Sequence, residues 1–175
     1  TITKEPVGVV FVVAPWNYPL LTAVNCIVPA ILAGNSVVIR HSERTPLCSE
    51  HFQTACEKAG APPGLVTSVH CAHEVTHSLI AAPEVGFVAF TGSVNGGRDI
   101  YKSVASSRFI DTTLELGGND PAYVAADADA KSAAEGLVDG AMFNAGQSCC
   151  GIERVYVHRS KYDEFLEAAT ELIEG

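Results

Sequence analysis

Four short runs, apolar on both faces and separated by stretches of helical length, constrain this 175-residue chain more than any other feature. Residues 7–14, 36–40, 65–69 and 86–90 are too short for ordinary helices and too continuously apolar for strands with one wet face. They therefore read as strands buried within a parallel sheet. The stretches between and after them, residues 20–33, 46–59, 72–82 and 97–106, are long enough for helices. Gly34-Asn35 and the segment from Gly60 to Gly64 act as helix stops, because glycine supplies a left-handed residue and proline forbids continuation. Repeated βα units of this kind predict an α/β fold in which a doubly wound parallel sheet carries helices on both faces.

Past Leu116-Gly117-Gly118 the pattern changes. Residues 121–125 read as a strand, 130–144 as a helix and 154–158 as another strand. Ser160 then caps a last helix, with Asp163 at the capping-box position. In that helix Tyr162, Phe165, Leu166, Ala169, Leu172 and Ile173 share one face, while Glu164, Glu167, Glu171 and Glu174 lie off it. We read residues 1–116 as one domain and 117–175 as the opening of a second. The chain starts at Thr1 and stops directly after a helical pattern, so a piece of a longer protein is expected.

Composition narrows the function classes. With 47% hydrophobic residues there is ample apolar mass for a core, which argues against disorder. A net charge of −9 leaves no basic stripe to neutralise phosphates, so nucleic acid fits poorly as a partner. No apolar run approaches the roughly 20 residues of a membrane span, and no signal-peptide pattern opens the chain; a soluble protein with a small-molecule substrate is expected. The six cysteines, at 26, 48, 56, 71, 149 and 150, form no CxxC pair. They read as reduced thiols in a cytoplasmic compartment.

Two segments carry candidate chemistry. His73-Glu74-Val75-Thr76-His77 is a literal HExxH, in which two histidines one turn apart bind zinc and the glutamate serves as base. Chance supplies about 0.015 such matches in a chain of this composition, so the motif is worth weighing. No third ligand pattern follows His77, however, and the alternative is the polar side of a surface helix whose apolar side is Ala72, Val75 and Leu79. The second segment, Phe143 to Cys150, is a glycine-containing turn that exposes a thiol between a helix and a strand. It fits either a nucleophile or packing. A zinc hydrolase and a cysteine hydrolase or acyltransferase without redox chemistry are both open on these residues.

Four motifs in order, spanning nearly the whole chain, resemble the aldehyde dehydrogenase superfamily. They are Pro6 to Val10 followed by Ala14-Pro15-Trp16-Asn17-Tyr18-Pro19-Leu20, then Phe90-Thr91-Gly92-Ser93, Leu114-Glu115-Leu116-Gly117-Gly118, and Gly146-Gln147-Ser148-Cys149. The resemblance implies oxidation of an aldehyde to a carboxylic acid through a thiohemiacetal and a thioester. Cys149 is then the nucleophile, and the Asn17 amide and the Cys149 backbone N–H form an oxyanion hole. Glu115 is the base, expected as a buried carboxylate, that activates water against the thioester.

The same resemblance places the cofactor on Pro15, Trp16, Arg40, Ser42, Glu43, Gly92, Ser93, Gly97, Leu116 and Gly117, in a Rossmann-like domain. The family's Lys-Pro-Ser-Glu type segment reads here Arg40-His41-Ser42-Glu43. Glu43 favours NAD, and Arg40 leaves NADP open. His70-Cys71 replaces a Pro-Gly near the adenine end, and Asn119 stands where lysine is common. No metal is expected. The resemblance further implies a homodimeric or homotetrameric parent and a fragment inactive by itself.

Overall fold

The computed structural model describes residues 1–175. Contacts divide the chain into two compact units, Thr1–Leu116 and Gly117–Gly175. In the first, β1 (Val9–Ala14), β2 (Ser36–His41), β3 (Val66–Ser68), β4 (Val85–Thr91) and β5 (Asp111–Glu115) form one parallel sheet in the order β3-β2-β1-β4-β5. The helices are α1 (Pro19–Leu32), α2 (Cys48–Lys58), α3 (His73–Ala81) and α4 (Val94–Ser107).

The alternation of side chains along β1 explains the layers. Val10, Val12 and Ala14 point to one face and pack with Ala23, Ile27 and Ala30 of α1 and Phe52 and Cys56 of α2. Phe11 and Val13 point to the other, where Ile80 of α3 and Ile100 and Val104 of α4 meet them. Helices thus cover both faces, as the uninterrupted apolar runs predicted.

The structure departs from the sequence reading where polar residues intervene. β5 was not anticipated as a strand: its Asp-Thr-Thr-Leu-Glu text lacks an apolar run, and it needs none, since it is an edge strand paired only with β4. β1 begins at Val9 rather than at residue 7. Gly8 has φ 103°, and the Val7 and Gly8 N–H groups donate not to a strand but to Asn35 Oδ1, at 2.7 and 3.1 Å. Asn35 Nδ2 donates in turn to the Ala30 carbonyl at 3.0 Å, so this buried side chain does more than stop a helix. α4 starts at Val94, ahead of the expected residue 97, because Ser93 Oγ accepts the Gly96 N–H at 3.1 Å and caps the helix. In α3 it is Thr76 and Ile80 that turn inward, while Val75, expected on the apolar side, is exposed.

The second unit is a single βαβα run: β6 (Asp120–Val124), α5 (Ala130–Met142), β7 (Ile152–Val157) and α6 (Tyr162–Glu174), with β6 and β7 parallel. Val124, Ala130, Ala134, Phe165 and Ala169 form its core. Asp129 caps α5 by accepting the Ser132 N–H at 2.8 Å. The cap expected at Ser160 is corrected: Ser160 lies inside a 3-10 turn, Arg159–Lys161, and its N–H is accepted by His158 Nδ1 at 3.3 Å. No helix is long and apolar enough to cross a membrane.

Asn35→Ala should remove the shared acceptor of two N–H groups and destabilise the first unit by about 2–3 kcal/mol. Denaturant unfolding checks the loss, and amide exchange at Val7 and Gly8 locates it. Unchanged protection of those two amides would contradict the role given to Asn35.

Candidate active site

All five strands of the sheet are parallel, so their carboxyl ends lie along one edge. The chain leaves β1 for α1 on one face and β4 for α4 on the other, which makes the gap between these neighbouring strands a switch point where such sheets bind ligands. Of the residues singled out from the sequence in this unit, Pro15, Trp16, Asn17, Ser42, Glu43, Gly92 and Ser93 stand on loops at that edge, and Glu115 ends its strand there.

After β1, Pro15 is buried, Trp16 is exposed and Asn17 is half-buried ahead of Pro19, the first residue of α1. Proline suits that position because its missing N–H has no partner to lose there. After β2, Ser42 and Glu43 open the loop to α2. The Ser42 N–H donates to the Ala14 carbonyl at 2.9 Å, the Glu43 carboxylate is exposed, and the Arg44 guanidinium lies 4.8 Å over the Trp16 ring. Arg40 is otherwise placed. It is buried, and its Nε and Nη2 both donate to the Cys71 carbonyl at 3.4 Å, holding the loop before α3.

After β4 the glycines have a packing reason. A Cβ on Gly92 or Gly96 would come within 2.7 or 2.8 Å of the Phe90 ring, and one on Gly97 would run into the Leu116 side chain. Their absence lets the first turn of α4 settle onto β4 and the end of β5. Ser93 Oγ accepts from Gly96 and keeps its own hydrogen to donate. The α4 N-terminus, with Ser93 beside it and the Glu43 carboxylate on a neighbouring loop, forms a donor and acceptor set that suits a dinucleotide: N–H groups and a helix dipole for the pyrophosphate, a carboxylate for ribose hydroxyls. Gly117 has open space where a Cβ would stand.

Glu115 ends β5, and its carbonyl accepts the Gly92 N–H at 2.9 Å, tying the two loops together. Its side chain is exposed in this unit, not buried as expected. On α1, burial pushes the Cys26 thiol above its ordinary pKa and the Glu115 carboxylate adds to the effect, both favouring the neutral thiol. Burial likewise holds His41 below its ordinary pKa, opposed by its hydrogen bond to the Pro19 carbonyl.

In the second unit, α5 gives way to a strained segment. Asn144, Ala145 and Gly146 are all left-handed, with φ of 52°, 57° and 72°. Asparagine tolerates this region, but for Ala145 it costs about 1–2 kcal/mol, and strain of that kind gathers at functional loops. Cys149 and Cys150 follow on an exposed turn, with Ser148 Oγ 3.2 Å from Cys150 Sγ. A Cβ on Gly118 would overlap the Cys149 carbonyl oxygen, so the second glycine of the Leu-Gly-Gly segment lets the Cys149 backbone pass. The Asn119 carbonyl accepts from Arg154 Nη2 at 3.0 Å. Neither the left-handed pair nor the reason for Gly118 was read from the sequence, because both depend on backbone paths that residue types alone do not encode.

The HExxH segment assembles no comparable site. His73 and Glu74 are exposed on the first turn of α3, and Thr76 between the histidines is buried. The nearby His70 ring meets Glu50 at 2.8 Å. No group of three or more His, Cys, Asp or Glu side chains converges within either unit.

Comparison with known proteins agrees with this reading. The model of the aldehyde dehydrogenase family matches residues 1–175. A 3,6-anhydro-alpha-L-galactose dehydrogenase of Streptomyces coelicolor is 41% identical over 167 residues, covering 94% of this chain and 34% of the relative. Aldehyde dehydrogenase [NAD(P)+] 2 of Saccharomyces cerevisiae is 40% identical over 165 residues, covering 94% and 33%. The structure of an NAD-dependent aldehyde dehydrogenase from Sinorhizobium meliloti superposes with a TM-score of 0.92 at 36% identity, over 97% of this chain and 34% of that one. The chain thus spans about a third of the length of these relatives. On motif order, fold and a match along its whole length, the chain belongs to the aldehyde dehydrogenase family.

Proposed function

We propose that the full-length protein oxidises an aldehyde to a carboxylic acid with a nicotinamide dinucleotide. The observation that carries this reading is the gathering of the Asn17 turn, Glu43, the Gly92-Ser93 turn and Glu115 along the carboxyl edge of one parallel sheet. Residues 1–116 are then the cofactor-binding domain and 117–175 the first part of the catalytic domain.

The α4 N-terminus and Ser93 would hold the pyrophosphate, Glu43 the adenosine ribose, and Pro15, Trp16, Gly97, Leu116 and Gly117 the remaining length of the cofactor. When bound, the nicotinamide ring supplies the hydride acceptor. Glu43 repels a 2′-phosphate, and Arg40, the cation that left NADP open, is buried against Cys71. NAD is therefore the preferred cofactor.

The chain's own residues divide the remaining work. The Cys149 thiolate forms a C–S bond to the aldehyde carbon, and the resulting oxyanion accepts hydrogen bonds from the Asn17 amide and the Cys149 N–H. Loss of hydride from that carbon restores the C=O bond and leaves a thioester on Cys149. Glu115 then takes a proton from water as the hydroxyl adds; the C–S bond breaks, releasing the acid and returning the thiolate. The exposure of Glu115 in its unit suits a base that must meet water. Six free thiols are consistent with a cytoplasmic compartment, and a homodimeric or homotetrameric parent is part of the same reading.

Full-length protein given NAD and a panel of aliphatic and aromatic aldehydes should form NADH. Cys149→Ala should abolish this while retaining NAD binding, and Cys150→Ala should not; the reverse pattern would move the nucleophile. Glu115→Gln should still release a rapid burst of up to one NADH per active site, then stall, with steady turnover reduced by about 10²-fold. Disappearance of the burst with cofactor binding intact would place Glu115 earlier, at deprotonation of Cys149.

A further inference from the structure

The residues between the two halves of the sheet edge contain a histidine that the mechanism above does not use. His41 is the last residue of β2, paired in register with Ala14 of β1, and only 3% exposed. Its Nε2 lies 2.8 Å from the Pro19 carbonyl. A carbonyl oxygen only accepts, so Nε2 carries the hydrogen and donates it. The other ring nitrogen, Nδ1, is buried without a partner, as fits a neutral imidazole fixed in that tautomer. The ring stacks on Phe52 of α2, with centroids 6.2 Å apart and planes 15° from parallel. Packing against α2 and bonding to α1, the imidazole cannot follow a shift of one helix without losing the other.

What His41 holds is the exit of the turn that carries Asn17. The Ser42 N–H fixes the entry of that turn at Ala14, and Arg44 covers Trp16. The helix-side end is held by His41 through Pro19. Tyr18, between Asn17 and Pro19, adopts φ −132° and ψ 67°, and the ring of Pro19 fixes its own φ. The Tyr18 carbonyl is held as well, accepting the Thr22 N–H at 3.0 Å and the Thr22 hydroxyl at 2.8 Å, so the backbone between Asn17 and the Pro19 carbonyl is tied to the first turn of α1. We infer that His41 is a positioning residue that sets the Asn17 amide for the oxyanion through its hydrogen bond to the Pro19 carbonyl. The inference rests on the oxyanion role proposed above for Asn17. A displacement of a donor by about 1 Å is enough to lower a rate by up to about 10²-fold.

The test is a double-mutant cycle in the full-length enzyme, read as NADH formation with the panel aldehyde of highest turnover. His41→Leu keeps the bulk and loses the donor; kcat should fall by about tenfold, with KM for NAD within about twofold. His41→Gln, whose amide nitrogen reaches the place of Nε2, should recover most of the loss. Phe52→Leu, which removes the stacking and keeps the hydrogen bond, should leave kcat within about twofold. In an Asn17→Ala background, His41→Leu should have almost no further effect. If His41→Leu does not fold, His41→Asn, which stops short of the carbonyl, takes its place in the cycle. Multiplying losses in the double variant, or a glutamine no better than leucine or asparagine, would overturn the inference. A wild-type enzyme that forms no NADH would instead remove the reading on which it rests.

Discussion

The burial of β1 on both faces is the constraint on which the first unit depends. A strand reading Val-Val-Phe-Val-Val-Ala has nowhere to place a wet face, so it must sit between β2 and β4 with helices above and below. Once it does, the polar residues that follow each strand are forced out at the carboxyl edge, since the interior offers them no partners. Asn17, Ser42, Glu43, Ser93 and Glu115 all leave the sheet at that edge. The chemistry is thus concentrated there by the same apolar runs that build the core.

Three exceptions to this separation are buried polar side chains that link elements apolar packing alone would leave loosely registered. Asn35 joins the entry of β1 to the end of α1, Arg40 joins β2 to the loop before α3, and His41 joins β2 to the start of α1. Such bonds are directional where hydrophobic contacts are not, and breaking one strands a buried partner. They fix where the loops emerge, and thereby where the candidate site residues stand.

Much of this was legible in the sequence. The both-face apolar runs gave the sheet, the glycine and proline stops gave the helix ends, and the order of four motifs gave the family. β5 escaped because an edge strand tolerates a polar text, and the start of α4 because its cap, Ser93, lies outside the apolar pattern. The exposure of the Glu115 side chain in this unit escaped because residue type does not reveal accessibility at a strand end. Arg40 and His41 stood in a segment named from the sequence, yet their partners, the carbonyls of Cys71 and Pro19, are distant in the chain and become visible only in three dimensions. The left-handed Ala145 breaks the usual preference for glycine or asparagine at such positions, so no composition rule would have found it.

The central claim is that Cys149 carries the acyl group between oxidation and hydrolysis. Mass spectrometry of peptides from full-length enzyme, rapidly quenched in acid during turnover with NAD and an aldehyde, tests it most directly. The account predicts a thioester mass increment on the peptide containing Cys149 and Cys150 that survives Cys150→Ala. The acyl group on another residue, or NADH formation with no acylated peptide at all, would contradict it.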